Sequence, residues 1–424
     1  MPRAAALLPD LSPLRRHRSF RLLWFGQLVS QAGTQVRLVA LPYQIYLLTG
    51  SSLHVGLIGL FQAIPLLALT LFGGVIADRV DRRRLLVITQ SGLMVTSLAL
   101  ALVTQFGFTE LPVLYALTAL AAGFSAIDQP TRGALVPTLV ERSELPAAIA
   151  LNQVLYQSAA VIGPALGGVV IASYGVGAAY WLDAVTFAAA IAAAVAIRTP
   201  VREAVTHLPI LQSLAEGVRY VAGHRLLLSS MSMDLAAMLL ASPRALFPFY
   251  AEQVFKVGAQ GLGFLYAAPG VGALIAVFTS GWVGRVRRPG AAVFMGVVAW
   301  GIAIAAFGLM TERLFVLGLV LVALAEAADL VATIFRHTIL QGVVREELRG
   351  RLTAINGMFV IGGPNLGQVR AGAVAALTSP QLAVVSGGLT CIAAAVGIVL
   401  WAPELLRYER TLATRDVPTE QASP

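Results

Sequence analysis

The sequence predicts an all-α membrane protein with twelve transmembrane helices in two six-helix bundles. Three observations predict it: an apolar composition sustained along the chain, breakers that cut it into runs of membrane-spanning length, and arginine clusters that alternate between those runs. Of 424 residues, 58% are hydrophobic and 12% charged, with a mean hydropathy of +0.80. Soluble domains carry roughly 25% charged residues, so lipid must solvate most of these side chains.

A hydrocarbon core ~30 Å thick requires about 20 apolar residues at helical rise. Such runs lie near 20–48, 55–77, 85–105, 112–132, 147–171 and 178–197, and again near 225–250, 258–283, 290–310, 313–338, 353–377 and 381–402. Loop charge tests the count independently, because cytoplasmic loops carry excess Lys and Arg. Arg15 and Arg16, Arg82 to Arg84, Arg132, Arg287 and Arg288, and Arg336 to Arg351 all fall on one side, whereas Lys256 and Arg313 fall on the other. The arginine-rich side is assigned to the cytoplasm of a bacterial inner membrane, together with both termini.

This orientation accounts for the net charge of +9. The basic residues form no contiguous face with interleaved aromatics, so nucleic acid is not an expected partner. The lone Cys391 and five scattered histidines offer neither a disulfide nor a metal cluster, and no cofactor is expected. The first apolar run is too long for a cleavable signal, so the amino terminus should be retained. The longest polar stretch, 198–224, separates a first bundle (1–197) from a second (225–402), and 403–424 forms a cytoplasmic tail. In that linker Leu211, Leu214, Val218 and Val221 share one helical face, which predicts an interfacial helix.

The loop after the second run reads Gly74-Val-Ile-Ala-Asp78-Arg79-Val-Asp81-Arg82-Arg83-Arg84. It resembles the loop signature of the major facilitator superfamily, which usually has Gly where Asp81 stands. Gly74 permits close helix approach, and Asp78 suits a helix start. Asp128, late in the fourth run, stands where related exporters hold an acidic partner for this loop. The resemblance implies a conformational latch in which Arg79 or Arg82 pairs with Asp128 beside Arg83. The fifth run carries Gly163-Pro164-Ala-Leu-Gly167-Gly168, similar to the GP-x-x-GG element of exporters that exchange protons for substrate, and Gly363-Pro364-Asn365-Leu366-Gly367 is a partial copy. The halves echo each other at an offset of 207 residues, Gly56 with Gly263 and Gly74 with Gly281.

Strings such as Gly263 to Ala268, Gly350 to Gly357 and Leu377 to Pro380 resemble the enterobactin exporter branch of the superfamily. That resemblance implies substrate bound near the midplane between parallel halves, with proton entry driving export of a catecholate siderophore. Its partners are then a small molecule, protons and lipid, and a monomer is expected. A multidrug or macrolide exporter on the same scaffold is the alternative, and a non-transporting receptor or scaffold the third reading. No enzyme activity is expected: G-x-x-x-x-G-K-[ST] is absent and Lys256 is the sole lysine.

An ionisable group at membrane depth costs several kcal/mol unless paired or hydrated. Glu326 and Asp329, three residues apart, share a helical face that continues through Thr333 to Arg336. Their mutual repulsion favours proton uptake, making them the first candidates for proton coupling. Asp234, roughly 13 Å along its helix, is the next, with Arg37 and Arg244 as available counter-charges. Related transporters often carry an acid early in the first span, where this chain has Thr34. Asp183, within two turns of the outer surface, is expected to be structural and hydrated from outside. Tyr43, Gln44, Tyr46, Phe247 and Tyr250 are candidates to stack on and hydrogen-bond an aromatic substrate.

Overall fold

Each apolar run folds as a helix because lipid leaves no other partner for backbone polar groups. A computed structural model of the chain describes residues 10–197, 216, 219–344 and 349–409, without the side chains of 71–79, 349–351, 353–356, 358 and 361. The long helices are α1 (Arg18–Thr49), α2 (Ser52–Arg79), α3 (Arg82–Gln105), α4 (Leu111–Leu139), α5 (Leu145–Tyr174) and α6 (Val176–Ala196). They continue as α7 (Arg225–Ala241), α8 (Gly258–Thr279), α9 (Pro289–Gly308), α10 (Phe315–Val343), α11 (Arg349–Leu377) and α12 (Pro380–Trp401). Ten helical segments among the described residues are long and apolar enough to cross a membrane. The two others, α1 with 32 residues and α11 with 29, match them in length and pack among them.

Local chemistry sets the boundaries. Gly50, at φ 60°, ends α1 in the left-handed conformation that L side chains avoid. Asp81 caps α3, its carboxylate accepting from the Arg84 backbone N–H at 2.8 Å. The capping role expected of Asp78 therefore falls on Asp81, since Asp78 lies in the last turn of α2. Replacing Asp81 with alanine is expected to lower stability by about 1 kcal/mol, read as a lower Tm in detergent. A Tm equal to that of the parent would remove the cap from the account.

One helix breaks. Beyond α7, Ser242 and Pro243 interrupt the ladder, Arg244–Leu246 form a 3₁₀ turn, and Tyr250–Val254 form a π-helical turn. Proline removes a donor, so such breaks persist only where neighbours or a cavity satisfy the freed groups.

The helices pack in two groups. In the first, α1 lies on α5 and α6, α3 on α4 and α6, and α2 on α4. In the second, α9 lies on α10 and α12, α7 on α11 and α12, and α8 on α10. Two crossings join the groups, α2 with α11 and α5 with α8. Glycines make both possible: a Cβ on Gly263 would lie 2.7 Å from the Cα of Gly168, and one on Gly56 would lie 3.0 Å from the Cα of Gly372. The repeat-related pair Gly56 and Gly263 thus occupies equivalent crossings.

These contacts lie toward the end of the molecule away from the described termini. There Tyr43 Oη donates to Glu252 at 2.7 Å, Gln253 Nε2 donates to Tyr46 Oη at 3.3 Å, and Tyr46 meets Phe249 edge-on at 4.6 Å. The groups therefore close at the far end. Of the linker, Leu211, Leu214 and Val218 lie outside the described residues, while residues 219–223 are helical and Val221 is buried beside Leu227, Met231, Val344 and Leu352.

Candidate functional site

The break after α7 places Arg244 where three cavities meet. The first, about 210 Å³, lies inside the second group and is lined by Asp234, Arg244, Phe247, Glu326, Asp329 and Arg336. The second, about 230 Å³, lies between the groups, with Thr34, Arg37, Gln62, Gln129, Arg244 and Tyr266 in its walls. A third, about 140 Å³, is bordered by Gln35, Gln157, Arg244, Tyr266 and Glu326.

The helical face predicted from Glu326 to Arg336 is present and converges on a shared guanidinium. Arg336 Nη2 lies 2.6 Å from Asp234, 3.5 Å from Asp329 and 2.5 Å from the Thr333 hydroxyl. Arg244 stands 3.8 Å from Glu326. Three carboxylates thus face two guanidinium groups, one negative charge in excess when all are ionised. Unpaired charge at membrane depth is strongly unfavourable, which sets this cluster apart from a balanced ion pair.

Several expected pairings are corrected. Arg37 and Arg244 are not the counter-charges of Asp234, because Arg336, one turn beyond Thr333, reaches it first. Arg37 instead lies 3.4 Å from Asp183 and donates to Ser97 at 3.2 Å, while Ser97 donates to Asp183 at 2.6 Å. Asp183 is fully enclosed rather than hydrated from outside, since α1 and α3 cover it. Gln44 and Tyr250 are also absent from the cavities. Gln44 donates to Thr104 at 2.9 Å and accepts from Tyr180 at 2.7 Å, and Tyr250 donates to the Gly308 carbonyl at 3.1 Å while stacking on Phe307 at 4.6 Å. Tyr43 and Tyr46 are engaged in the far-end closure. Of the substrate-facing candidates, Arg37, Arg244 and Phe247 line cavities.

Of the latch, the Arg82 pairing is corrected. Asp128 is held by Arg132 at 2.5 Å, one helical turn away, and accepts from Thr89 and Gln90, each at 2.8 Å. Arg82 donates to the Ala134 carbonyl at 2.8 Å rather than to Asp128. Arg83 donates to the carbonyls of Ala194, at 3.2 Å, and Val195. The carbonyls at the end of α6 carry the negative pole of the helix dipole, which attracts a cation as a carboxylate would. Gly74, Asp78 and Arg79 lie outside the described side chains. In the exporter element, Gly163 abuts Ala32 and Gln35, Gly167 abuts Val36, and Gly168 faces α8, so α5 is a seam between α1 and the other group.

Sequence reasoning counted Arg132 and Arg336 among the cytoplasmic-side charges, whereas each pairs with a carboxylate of its own helix. The four-residue spacing from Asp128 and the seven-residue spacing from Asp329 were the available signals. Tyr266 and the glutamines of the central cavity carried no periodic signal at all.

A family model described as transmembrane secretion effector matches residues 9–419. The chain belongs to the transmembrane secretion effector family. The chain is therefore a multi-pass membrane transporter of the major facilitator superfamily, which is not an enzyme class. It is 28% identical over 408 residues to proteins named enterobactin exporter EntS from Shigella boydii serotype 18 and Escherichia coli O139:H28, covering 95% of this chain and 96% of each relative. Among solved structures, a variant of the nucleoside transporter NupG superposes with a TM-score of 0.75 at 13% identity, covering 90% of this chain and 99% of that chain. A bacterial homologue of the iron transporter ferroportin, in an inward-facing state, gives 0.69 at 18% identity, with 91% and 98% coverage. These structural likenesses concern the fold alone.

Proposed function

We infer that this chain crosses a bacterial inner membrane twelve times, as bundles 1–197 and 225–402 with both termini cytoplasmic, and exports an enterobactin-like catecholate by alternating access coupled to proton entry. The observation that carries this reading is the charge-unbalanced cluster of Asp234, Glu326 and Asp329 with Arg244 and Arg336, beside a cavity lined by glutamines and arginines. A proton site next to a hydrogen-bonding chamber is what exchange of protons for a polyphenol requires. The relatives named as enterobactin exporters support the substrate class. The arginine-rich ends support the orientation, and the closed far end then corresponds to an inward-facing state.

In proteoliposomes holding the purified chain, enterobactin movement against an imposed proton gradient should exceed that of protein-free vesicles and vanish with a protonophore. Transport indifferent to the protonophore would end the coupling. In cells, loss of the gene under iron starvation should raise intracellular siderophore. A change in macrolide tolerance alone would move the assignment to drug efflux.

A further inference from the structure

The offset of 207 residues that relates Gly56 to Gly263 also relates Arg37 to Arg244 and Tyr43 to Tyr250. The repeat therefore gives each half one arginine at the same depth, facing the central cavity. Each arginine has one carboxylate behind it, Asp183 in the first half and Glu326 in the second. The two pairs differ in what surrounds them. Asp183 is 0% exposed and Arg37 11%, and Ser97 bridges them, so that pair is sealed. Glu326 is 25% exposed and Arg244 42%, at 3.8 Å, beyond hydrogen-bond length. A pair so loosely joined leaves donor and acceptor capacity that a hydroxyl beside it can take up.

Glu326 differs equally from the other two carboxylates of its cluster. Asp234 and Asp329 share Arg336 and border the cavity inside the second group, whereas Glu326 borders both that cavity and the one against Gln35, Gln157 and Tyr266. The charged and titratable groups around it are Arg244 from the broken helix, Asp329 on its own helix and Tyr266 from α8. Behind these stand Arg336 of α10 and Asp234 of α7, with Cys391 of α12 near Asp329. From α9 comes Trp300, which does not titrate.

We propose that Arg244 and Glu326 form one composite subsite for a vicinal diol of the substrate, in which Glu326 accepts a substrate hydroxyl and Arg244 donates to the adjacent oxygen, and in which a proton on Glu326 displaces the substrate. The inference rests on the proposed function for the catechol but adds a division of labour. Glu326 is where proton and substrate exclude each other, the Asp234–Arg336–Asp329 trio holds charge without touching substrate, and the sealed Arg37–Asp183 pair does not exchange. Competition for one carboxylate gives antiport its sign, because the ionised form holds substrate and the protonated form releases it.

The test is the pH dependence of enterobactin binding to the full-length chain in detergent, read from tryptophan quenching by way of Trp300 in the cavity wall and checked by calorimetry. Affinity of the parent should weaken at least tenfold from pH 8 to pH 5.5. Glu326→Gln should bind at both pH values as weakly as the parent does at pH 5.5. Glu326→Asp, which keeps a titrating carboxylate on a shorter stem, should bind more weakly but recover the pH dependence. Arg244→Lys should weaken binding at both pH values and keep the slope. A parent that binds at both pH values with one affinity, or a Glu326→Gln protein that retains the slope, overturns this inference while leaving enterobactin as substrate. No binding by the parent at either pH overturns the substrate assignment and the subsite with it.

Discussion

Replacing Arg336 with leucine is expected to destabilise the protein by about 3–5 kcal/mol, the usual consequence of stripping a buried carboxylate of its partner. Arg336 is the shared counter-charge of Asp234 and Asp329 and donates to Thr333, with all four groups in the interior of the second group of helices. Without it, two carboxylates from α7 and α10 face each other with only Arg244 nearby, and Arg244 is already beside Glu326. The measurement is the Tm and monodispersity of the purified variant. The cause is separable from lost packing, because Asp234→Asn and Asp329→Asn in the Arg336→Leu background remove the charges that needed compensation. Those changes should recover at least half of the lost stability. An Arg336→Leu protein as stable as its parent would show that the trio does not hold α7 to α10.

The second large effect is expected at the α5–α8 crossing. A side chain at Gly263 has no space: its Cβ would lie 2.6 Å from the Pro164 carbonyl oxygen and 2.7 Å from the Gly168 Cα, both backbone atoms that cannot rotate away. Overpacking of this kind costs about 1–3 kcal/mol. The cost falls only on the state closed at the far end, so Gly263→Val should shift the conformational equilibrium by about 5- to 150-fold toward the opposite opening. Export should fall accordingly, and spin labels on the far-end loops should report longer distances. Gly281→Val, just beyond the end of the same helix and with open space around it, should leave both readouts near the parent. Equal losses in the two variants would mean that the crossing does not discriminate between states.

Much of this architecture was legible in one dimension. Apolar run length located the helices, because it reports a property of the solvent rather than of any partner. The face from Glu326 to Arg336 was legible because a single helix presents residues three, four and seven apart on one side. Gly56 and Gly263 were legible because a repeat preserves the crossings it builds. The pairings were less legible. Asp234 was expected to pair with Arg37 or Arg244, and only the helix packing shows that Arg336 reaches it while Arg37 is turned to Asp183. Tyr43, Tyr46, Gln44 and Tyr250 read as a substrate surface by composition, yet two seal the far end and two are consumed between helices.

The sequence by itself determined that this is a membrane transporter of helical repeats with acidic groups held at depth, because lipid imposes its demands on every turn of every span. The tertiary structure alone decided which acid faces which arginine, which aromatic faces a cavity and which end is closed. Those outcomes depend on the rotation and translation of whole helices against one another, and a shift of one residue about a helix axis turns a side chain by about 100°.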